Sequence, residues 1–284
     1  MTLRMLVEQA EAELRIGPHP ERARLDAESL LLHLVKQNRA WLLAHWSDEI
    51  EAQTAEVFDA LVSRRLEGEP IQYITEKAEF FGLPFSVAPG VLIPRPETEH
   101  LVEEVLRLAW QIPEPRIADV GTGSGAIAVA LAYALPQAHI TAVDLSQRAL
   151  TIASENALYN QVADRITFIE GDLLTRLVGQ SFDIIASNPP YVPLADRNSL
   201  SVEVRDHEPH NALFAGEDGL SVYKRLIPEA SEYLVPGGWL IMEIGYDQQE
   251  TIEQMLIENS YSNVHFVPDY QGIPRVACGQ KERG

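Results

Sequence analysis

Leu3, Leu6, Val7, Ala10 and Leu14 recur at helical spacing, and Gly17-Pro18 stops the run. Pro20 suits a second helix start, continued by the amphipathic stretch Leu25, Ser29, Leu32 and Leu34-Val35. Ser47 is the expected N-cap of a long helix carrying Ile50, Phe58, Leu61 and Val62. Gly68 is its expected stop, with Pro70 just beyond. Residues 1–75 therefore predict a small helical bundle.

The period changes after Tyr73. Glu79-Phe80-Phe81-Gly82-Leu83-Pro84-Phe85-Ser86-Val87 reads as two short strands around a turn, a β-hairpin linker over 76–92. Ile93-Pro94-Arg95-Pro96 follows, and Thr98 or Glu99 opens a helix towards Trp110. From Arg116 the chain alternates, with strands expected at 117–120, 140–143, 166–169, 183–186, 239–244, 264–268 and 275–278. Helical stretches separate the earlier strands. This alternation predicts an α/β domain over 93–284, built on a doubly wound, mostly parallel sheet.

Composition narrows the class. Hydrophobic residues make up 46% and charged residues 23%, a globular balance. The formal net charge is −20, and such a surface repels polyphosphate backbones. That leans towards a protein or small-molecule substrate with no direct nucleic-acid partner. Arg64-Arg65 reads as a solvated helix face. The single cysteine, Cys278, allows neither an internal disulfide nor a thiolate zinc site, and is expected as a small buried hydrophobe. The acidic N-terminal helix lacks a signal-peptide pattern, and the longest apolar stretch, 126–136, is too short for a bilayer. A cytoplasmic protein with no membrane partner is expected.

Two motifs carry chemistry. Gly121-Thr122-Gly123-Ser124-Gly125 leaves a strand and enters a helix, so its backbone N–H groups and the helix N-terminus can approach a ligand. Asp144 ends the next strand, where a carboxylate accepts from ribose hydroxyls. By itself the loop admits a methyl donor and a nicotinamide cofactor equally. Asp172 and Leu173, after the third strand, suit an adenine amine and ring.

The second motif, Asn188-Pro189-Pro190-Tyr191, follows the strand at 183–186. A planar NH2 nitrogen needs an acceptor for each hydrogen; the Asn188 side-chain oxygen and the Pro189 carbonyl can supply them. Consecutive prolines stiffen the segment, and Tyr191 offers a face for stacking. Asn188, Pro189 and Tyr191 are thus the candidate catalytic residues, with Pro190 completing the substrate site. His207 and His210 flank Glu208 without a third ligand at fitting spacing, so no metal is expected. Glu97 and Glu99 can bond the cofactor or cap a helix, with capping favoured, and Pro236-Gly237-Gly238 is expected to form a turn before its strand.

Together these motifs resemble class I methyltransferases acting on planar nitrogens. Within that group the chain resembles the bacterial peptide chain release factor glutamine N5-methyltransferases over nearly its whole length. The resemblance includes Glu69-Pro70-Ile71-Gln72-Tyr73-Ile74, Leu92-Ile93-Pro94-Arg95-Pro96-Glu97-Thr98-Glu99, Leu213-Phe214-Ala215-Gly216-Glu217-Asp218-Gly219-Leu220 and Gly272-Ile273-Pro274-Arg275. It implies a seven-stranded class I methyltransferase sheet and S-adenosylmethionine as cofactor, contacted by Gly121 to Gly125, Asp144, Leu173 and Asn188. It implies methylation of the glutamine of a Gly-Gly-Gln segment in release factors one and two, docked partly by the helical N-terminal part. A monomer is expected. A glutamine in a ribosomal protein, or an adenine or guanine in a nucleic acid, are the alternatives; a nicotinamide-dependent dehydrogenase is the reading outside this chemistry.

Overall fold

The first helix, α1 (Leu3–Leu14), forms where the spacing predicts and buries Leu3, Leu6, Val7, Ala10 and Leu14, in a computed structural model that describes residues 1–283. Thr2 Oγ1 caps it by accepting the Met5 N–H at 3.3 Å. The chain divides into two units. The first comprises Met1–Lys77 with Leu200–His207; the second comprises Ala78–Ser199 and the chain from Glu208 on.

In the first unit a 3₁₀ turn at Pro20–Arg22 leads into α2 (Ala23–Val35). Its buried face is Ala23, Asp26, Ala27, Leu30 and Leu31, whereas Leu25 of the expected apolar stretch is 49% exposed. A carboxylate on the core side hides the true period. After α3 (Arg39–Ala44), α4 (Ala52–Leu66) begins later than expected, with Glu51 at its N-cap position. Ser47 does not cap it and Ile50 precedes it, because this segment is held extended. The Ile50 N–H donates to the Met1 carbonyl at 3.1 Å, and Thr2 bridges Glu49. Gly68 (φ +89°) closes α4 with N–H groups of Gly68 and Glu69 on the carbonyls of Arg65 and Arg64. The short helix α5 (Ile71–Thr75) follows.

Arg65 corrects the reading of a solvated basic pair. It is 2% exposed, donates from Nε to Asp26 Oδ2 at 2.7 Å and pairs with Glu203 of α9 (Val202–His207). Arg64 is the solvated member, paired with Glu69 at 2.6 Å. The apolar helix faces thus close around a charged centre.

The hairpin of β1 (Lys77–Phe80) and β2 (Leu83–Ser86) belongs to the second unit from Ala78 on. Positive φ at both Phe81 and Gly82 gives the tight turn whose twist matches its strands. Then follow α6 (Glu99–Ala109), β3 (Arg116–Val120), α7 (Ala126–Ala134), β4 (His139–Asp144), α8 (Gln147–Tyr159), β5 (Ile166–Glu170) and β6 (Phe182–Ser187). Short α10 (His210–Leu213), α11 (Tyr223–Tyr233), β7 (Leu234–Glu243), α12 (Gln249–Glu258), β8 (Tyr261–Pro268) and β9 (Pro274–Lys281) complete it.

Among the described residues the sheet has seven strands in the order β5-β4-β3-β6-β7-β9-β8. The first five run parallel; β9 is antiparallel to β7 and to β8. Pro236-Gly237-Gly238 lies inside β7 instead of before it, where the pairing with β6 shifts register. A Cβ on Gly238 would stand 2.9 Å from the Asp183 carbonyl oxygen, so the irregularity brings backbone close to backbone. One sheet face packs Leu101 and Val105 of α6 and Leu131 of α7; the other packs Tyr223 and Leu226 of α11 and Ile252 of α12. Residues 126–132 of α7 are all buried, which explains their lack of a polar face.

Removing one partner of a buried ion pair leaves the other charge uncompensated. Arg65→Ala should therefore lower unfolding stability by about 3–5 kcal/mol in urea titrations of the full chain. Replacing Arg65 by Met and Asp26 by Leu together should recover most of that loss; equal losses in both variants would contradict the account.

Candidate active site

β3 runs into the glycine loop and the loop into α7. The N–H groups of Gly121 and Thr122 both donate to the Val143 carbonyl on β4, at 2.8 and 2.9 Å. Gly121 (φ +76°) and Gly123 (φ +56°) line a cleft of about 230 Å³ at the carboxyl ends of the parallel strands. Nothing lies within 4 Å of where a Cβ on either would stand. Gly125 (φ +81°) differs: its Cβ would meet the Ala153 Cβ of α8 at 2.9 Å. Two glycines keep space open for a ligand; the third lets helices approach.

Thr122 and Ser124 are buried and do not line the cleft. The Thr122 hydroxyl donates to Asp119 Oδ2 at 2.6 Å, and the Ser124 carbonyl accepts from Asn156 Nδ2 at 2.9 Å. Asn156 also binds Ser86 through both its backbone groups, at 2.7 and 2.9 Å. One buried amide thus ties the hairpin to the glycine loop.

Asp144 lines the cleft opposite the loop. Its Oδ2 accepts the Gly123 N–H and its Oδ1 the Ser146 N–H, both at 2.8 Å. A carboxylate has about four acceptor positions, so Asp144 keeps acceptor capacity beyond these two bonds. Burial raises its pKa, and the backbone bonds to Ser146 and Gly123 oppose the rise. Asp172 and Leu173 line the same cleft. Asp172 pairs with Arg225 at 2.6 Å, and both are about half exposed.

Beneath the loop, Asp119 is fully buried. Oδ2 accepts from Thr122 and from the Ala128 N–H at 3.1 Å, while Oδ1 finds no partner. Burial pushes its pKa up to about 7.

β6 delivers the second motif. Ser187 Oγ donates to the Val120 carbonyl at 2.7 Å and fastens the strand end beside the loop. Asn188 and Pro190 line the cleft with Gly121, Gly123 and Asp144. Asn188 Nδ2 donates to Thr98 Oγ1 at 3.0 Å, and Thr98 Oγ1 donates to Glu243 Oε2 at 2.5 Å. The Tyr191 hydroxyl donates to Glu243 Oε1 at 3.1 Å. Burial, and the Glu243 carboxylate beside it, raise the Tyr191 pKa, so its hydroxyl keeps its proton. Neither Tyr191 nor Pro189 lines the cleft itself.

The surrounding segments hold this motif in place. Gln248 Nε2 donates to the Tyr191 carbonyl at 3.1 Å, and a Cβ on Gly219 would collide with that carbonyl. Buried Glu208 takes the Arg95 guanidinium and the Ile93 N–H, which folds the proline-rich segment back. Glu99 does not cap α6; its carboxylate accepts the Phe81 N–H of the hairpin turn at 2.8 Å. Sequence reasoning missed Thr98, Asn156, Glu243 and Gln248 as site residues. Glu243 alone left a signal: it is an acid inside the apolar strand run Trp239-Leu240-Ile241-Met242-Glu243-Ile244.

Among the described residues, Glu104, His265 and Cys278 bring potential metal-ligand atoms within 4.8 Å of one another. Arg107 already holds both Glu104 oxygens, at 2.6 and 2.7 Å. The group therefore reads as an ion-pair network closing over a buried thiol. His210 packs edge-on against Phe214, with ring centroids 5.4 Å apart.

Comparison with known proteins places these features in context. Residues 6–75 match the family described as PrmC N-terminal domain, and residues 98–203 match Methyltransferase small domain. Release factor glutamine methyltransferase of Koribacter versatilis is 43% identical over 99% of this chain and 99% of its own. The protein of that name from Moorella thermoacetica is 43% identical over 97% of each chain. Among solved structures, a methyltransferase from Pyrococcus furiosus aligns with TM-score 0.53 and 20% identity, over 71% of this chain and 90% of that one. The hMettl16 catalytic domain aligns with TM-score 0.56 and 18% identity, over 84% of each. These two show the shared fold.

Asp119 sets a pH signature. Its folded pKa of about 7 lies above the usual 3.8, so the protonated form favours the folded state. This contribution is complete below about pH 4 and is lost as pH rises towards about 7, on the order of 4 kcal/mol in total. Asp119→Asn cannot titrate. Its melting temperature relative to the parent should therefore rise between pH 4 and pH 7 and level off above; a pH-independent difference would contradict the assignment.

Proposed function

The chain belongs to the release factor glutamine methyltransferase family, and from that premise we propose that Asn188-Pro189-Pro190-Tyr191 holds the glutamine amide of a release factor against the methyl donor. The protein is an S-adenosylmethionine-dependent methyltransferase. The observation that carries the reading is that Asn188 opens into the same cleft as Gly121, Gly123 and Asp144.

The cofactor supplies a methyl group activated on a sulfonium. The open backbone at Gly121 and Gly123 accommodates it, Asp144 takes the ribose, and Asp172 with Leu173 flanks the adenine. Thr122, Ser124 and Gly125 contribute by shaping the loop. A net charge of −20 disfavours a nucleic-acid substrate for this site.

An amide nitrogen is a poor nucleophile because its lone pair is delocalised into its carbonyl. Asn188 Oδ1 accepts one of its hydrogens and the Pro189 carbonyl the other, so the nitrogen is oriented at the methyl carbon. Tyr191, with its hydroxyl anchored on Glu243, backs the planar group. The nitrogen gives its electron pair to the methyl carbon as the carbon–sulfur bond breaks onto sulfur, and it then sheds one proton. Such positioning supplies up to roughly 7–11 kcal/mol of a barrier. The substrate is the glutamine of the Gly-Gly-Gln segment in release factors one and two, methylated at N5, and the N-terminal helical unit helps dock it. Among the described residues no helix is long and apolar enough to cross a membrane.

Purified protein should transfer labelled methyl to a release factor, and replacement of that factor's Gly-Gly-Gln glutamine should abolish labelling. Equal labelling of the substituted factor would refute the substrate assignment. Asn188→Ala should lower kcat by about 10²–10³-fold while calorimetry still detects S-adenosylmethionine binding.

A further inference from the structure

Glu243 is 2% exposed at the end of β7, and its carboxylate meets two hydroxyls, Thr98 Oγ1 at 2.5 Å and Tyr191 OH at 3.1 Å. Burying this carboxylate is unfavourable for folding alone: burial raises its pKa, and the two hydroxyls and the more distant Arg275 charge offset the rise only in part. Its chemistry gives it another use. An ionised carboxylate only accepts, so it fixes the direction of every hydrogen bond it joins.

That direction passes along a chain. The Thr98 hydrogen is committed to Glu243, so Thr98 Oγ1 can only accept from its other neighbour. That neighbour is the Asn188 side chain, which must therefore turn its amino end to Thr98, at 3.0 Å. Its carbonyl end is then the one left for the cleft that Asn188 lines. With a neutral amide at 243 the chain can reverse. The amide would donate to Thr98, Thr98 would donate to Asn188 Oδ1, and the NH2 of Asn188 would face the cleft. A donor would then confront the N–H bonds of an incoming amide.

We propose that Glu243, acting through Thr98, is a positioning residue that sets which end of the Asn188 amide faces the acceptor nitrogen. The inference rests on the role given to Asn188 above. Glu243 and Thr98 touch neither reactant in this account; they keep the acceptor oriented before substrate arrives. The same carboxylate fixes the Tyr191 hydroxyl, so one buried charge orders both side chains of the motif.

The test is steady-state methyl transfer to a purified release factor by Thr98→Val, Thr98→Ser and Glu243→Gln. Thr98→Val keeps the shape and removes the hydroxyl; it and Glu243→Gln should lower kcat by about 10²-fold, the scale on which preoriented polar groups act. KM for S-adenosylmethionine should change by less than about threefold, because the glycine loop and Asp144 are untouched. Thr98→Ser should restore most of kcat. In an Asn188→Ala background, Thr98→Val should cost no further kcat, since nothing remains to orient. Melting temperatures identify any variant that fails to fold, and Thr98→Ser against Thr98→Val then carries the comparison. Wild-type kcat in Thr98→Val, failure of Thr98→Ser to restore activity, or a full independent loss in the Asn188→Ala background would each overturn the proposal. An inactive parent protein on the same release factor would overturn the substrate reading and the proposal with it, so the two failures are told apart by the parent's activity.

Discussion

Two strands, β4 and β6, both pair with β3 in parallel, one on each side. The chain therefore leaves β3 in one direction and later returns to its other edge. The loops at the carboxyl ends of these strands must diverge, and the crevice between them is where an open α/β sheet takes its ligand. Everything at the site follows from this placement. The glycine loop ends β3, Asp144 ends β4, and Asn188 follows β6. Residues spread over about seventy positions of chain thus share one cleft.

The same strand ends must then hold polar groups in an interior built from Ile, Val, Leu and Ala. The structure meets that demand mainly with hydrogen bonds to neutral groups. Asp119 receives Thr122 and the Ala128 N–H; Glu243 receives Thr98 and Tyr191. Both carboxyls have pKa values raised by burial. Each is bonded to a segment that borders the cleft, Asp119 from beneath the glycine loop and Glu243 from behind the Asn188 motif. The bonds that satisfy these buried carboxyls, apart from Asp119 Oδ1, are the same ones that tie down the segments at the cleft. In the helical unit the solution is different: Arg65 and Asp26 meet as opposite charges at 2.7 Å.

Much of this was legible in the sequence. Seven strands were expected for the large sheet and seven form it among the described residues, because each is an apolar run bounded by turn residues, and longer helical patterns set the earlier ones apart. The helix starting at Leu3 was legible because its core face is wholly apolar. Errors arose where a polar group faces inward or a backbone partner is distant. Asp26 masked the face of α2. The extended pairing of Met1 and Thr2 with Glu49 and Ile50 delayed α4, and no local signal marks it. Pro236-Gly237-Gly238 has turn composition, yet the neighbouring strand draws it into β7.

By itself, the sequence determined the element types, the glycine loop and the Asn188-Pro189-Pro190-Tyr191 motif, because these depend on local periodicity and on the chemistry of adjacent residues. Only the tertiary structure decided which of those residues face the cleft and which support it. It kept Gly121 and Gly123 open, turned Thr122 and Ser124 inward, and brought Thr98 and Glu243, separated by 145 positions, to a single hydrogen bond behind Asn188. Contacts of that span are set by the pairing of strands and the packing of helices against them, and one-dimensional spacing carries no record of either.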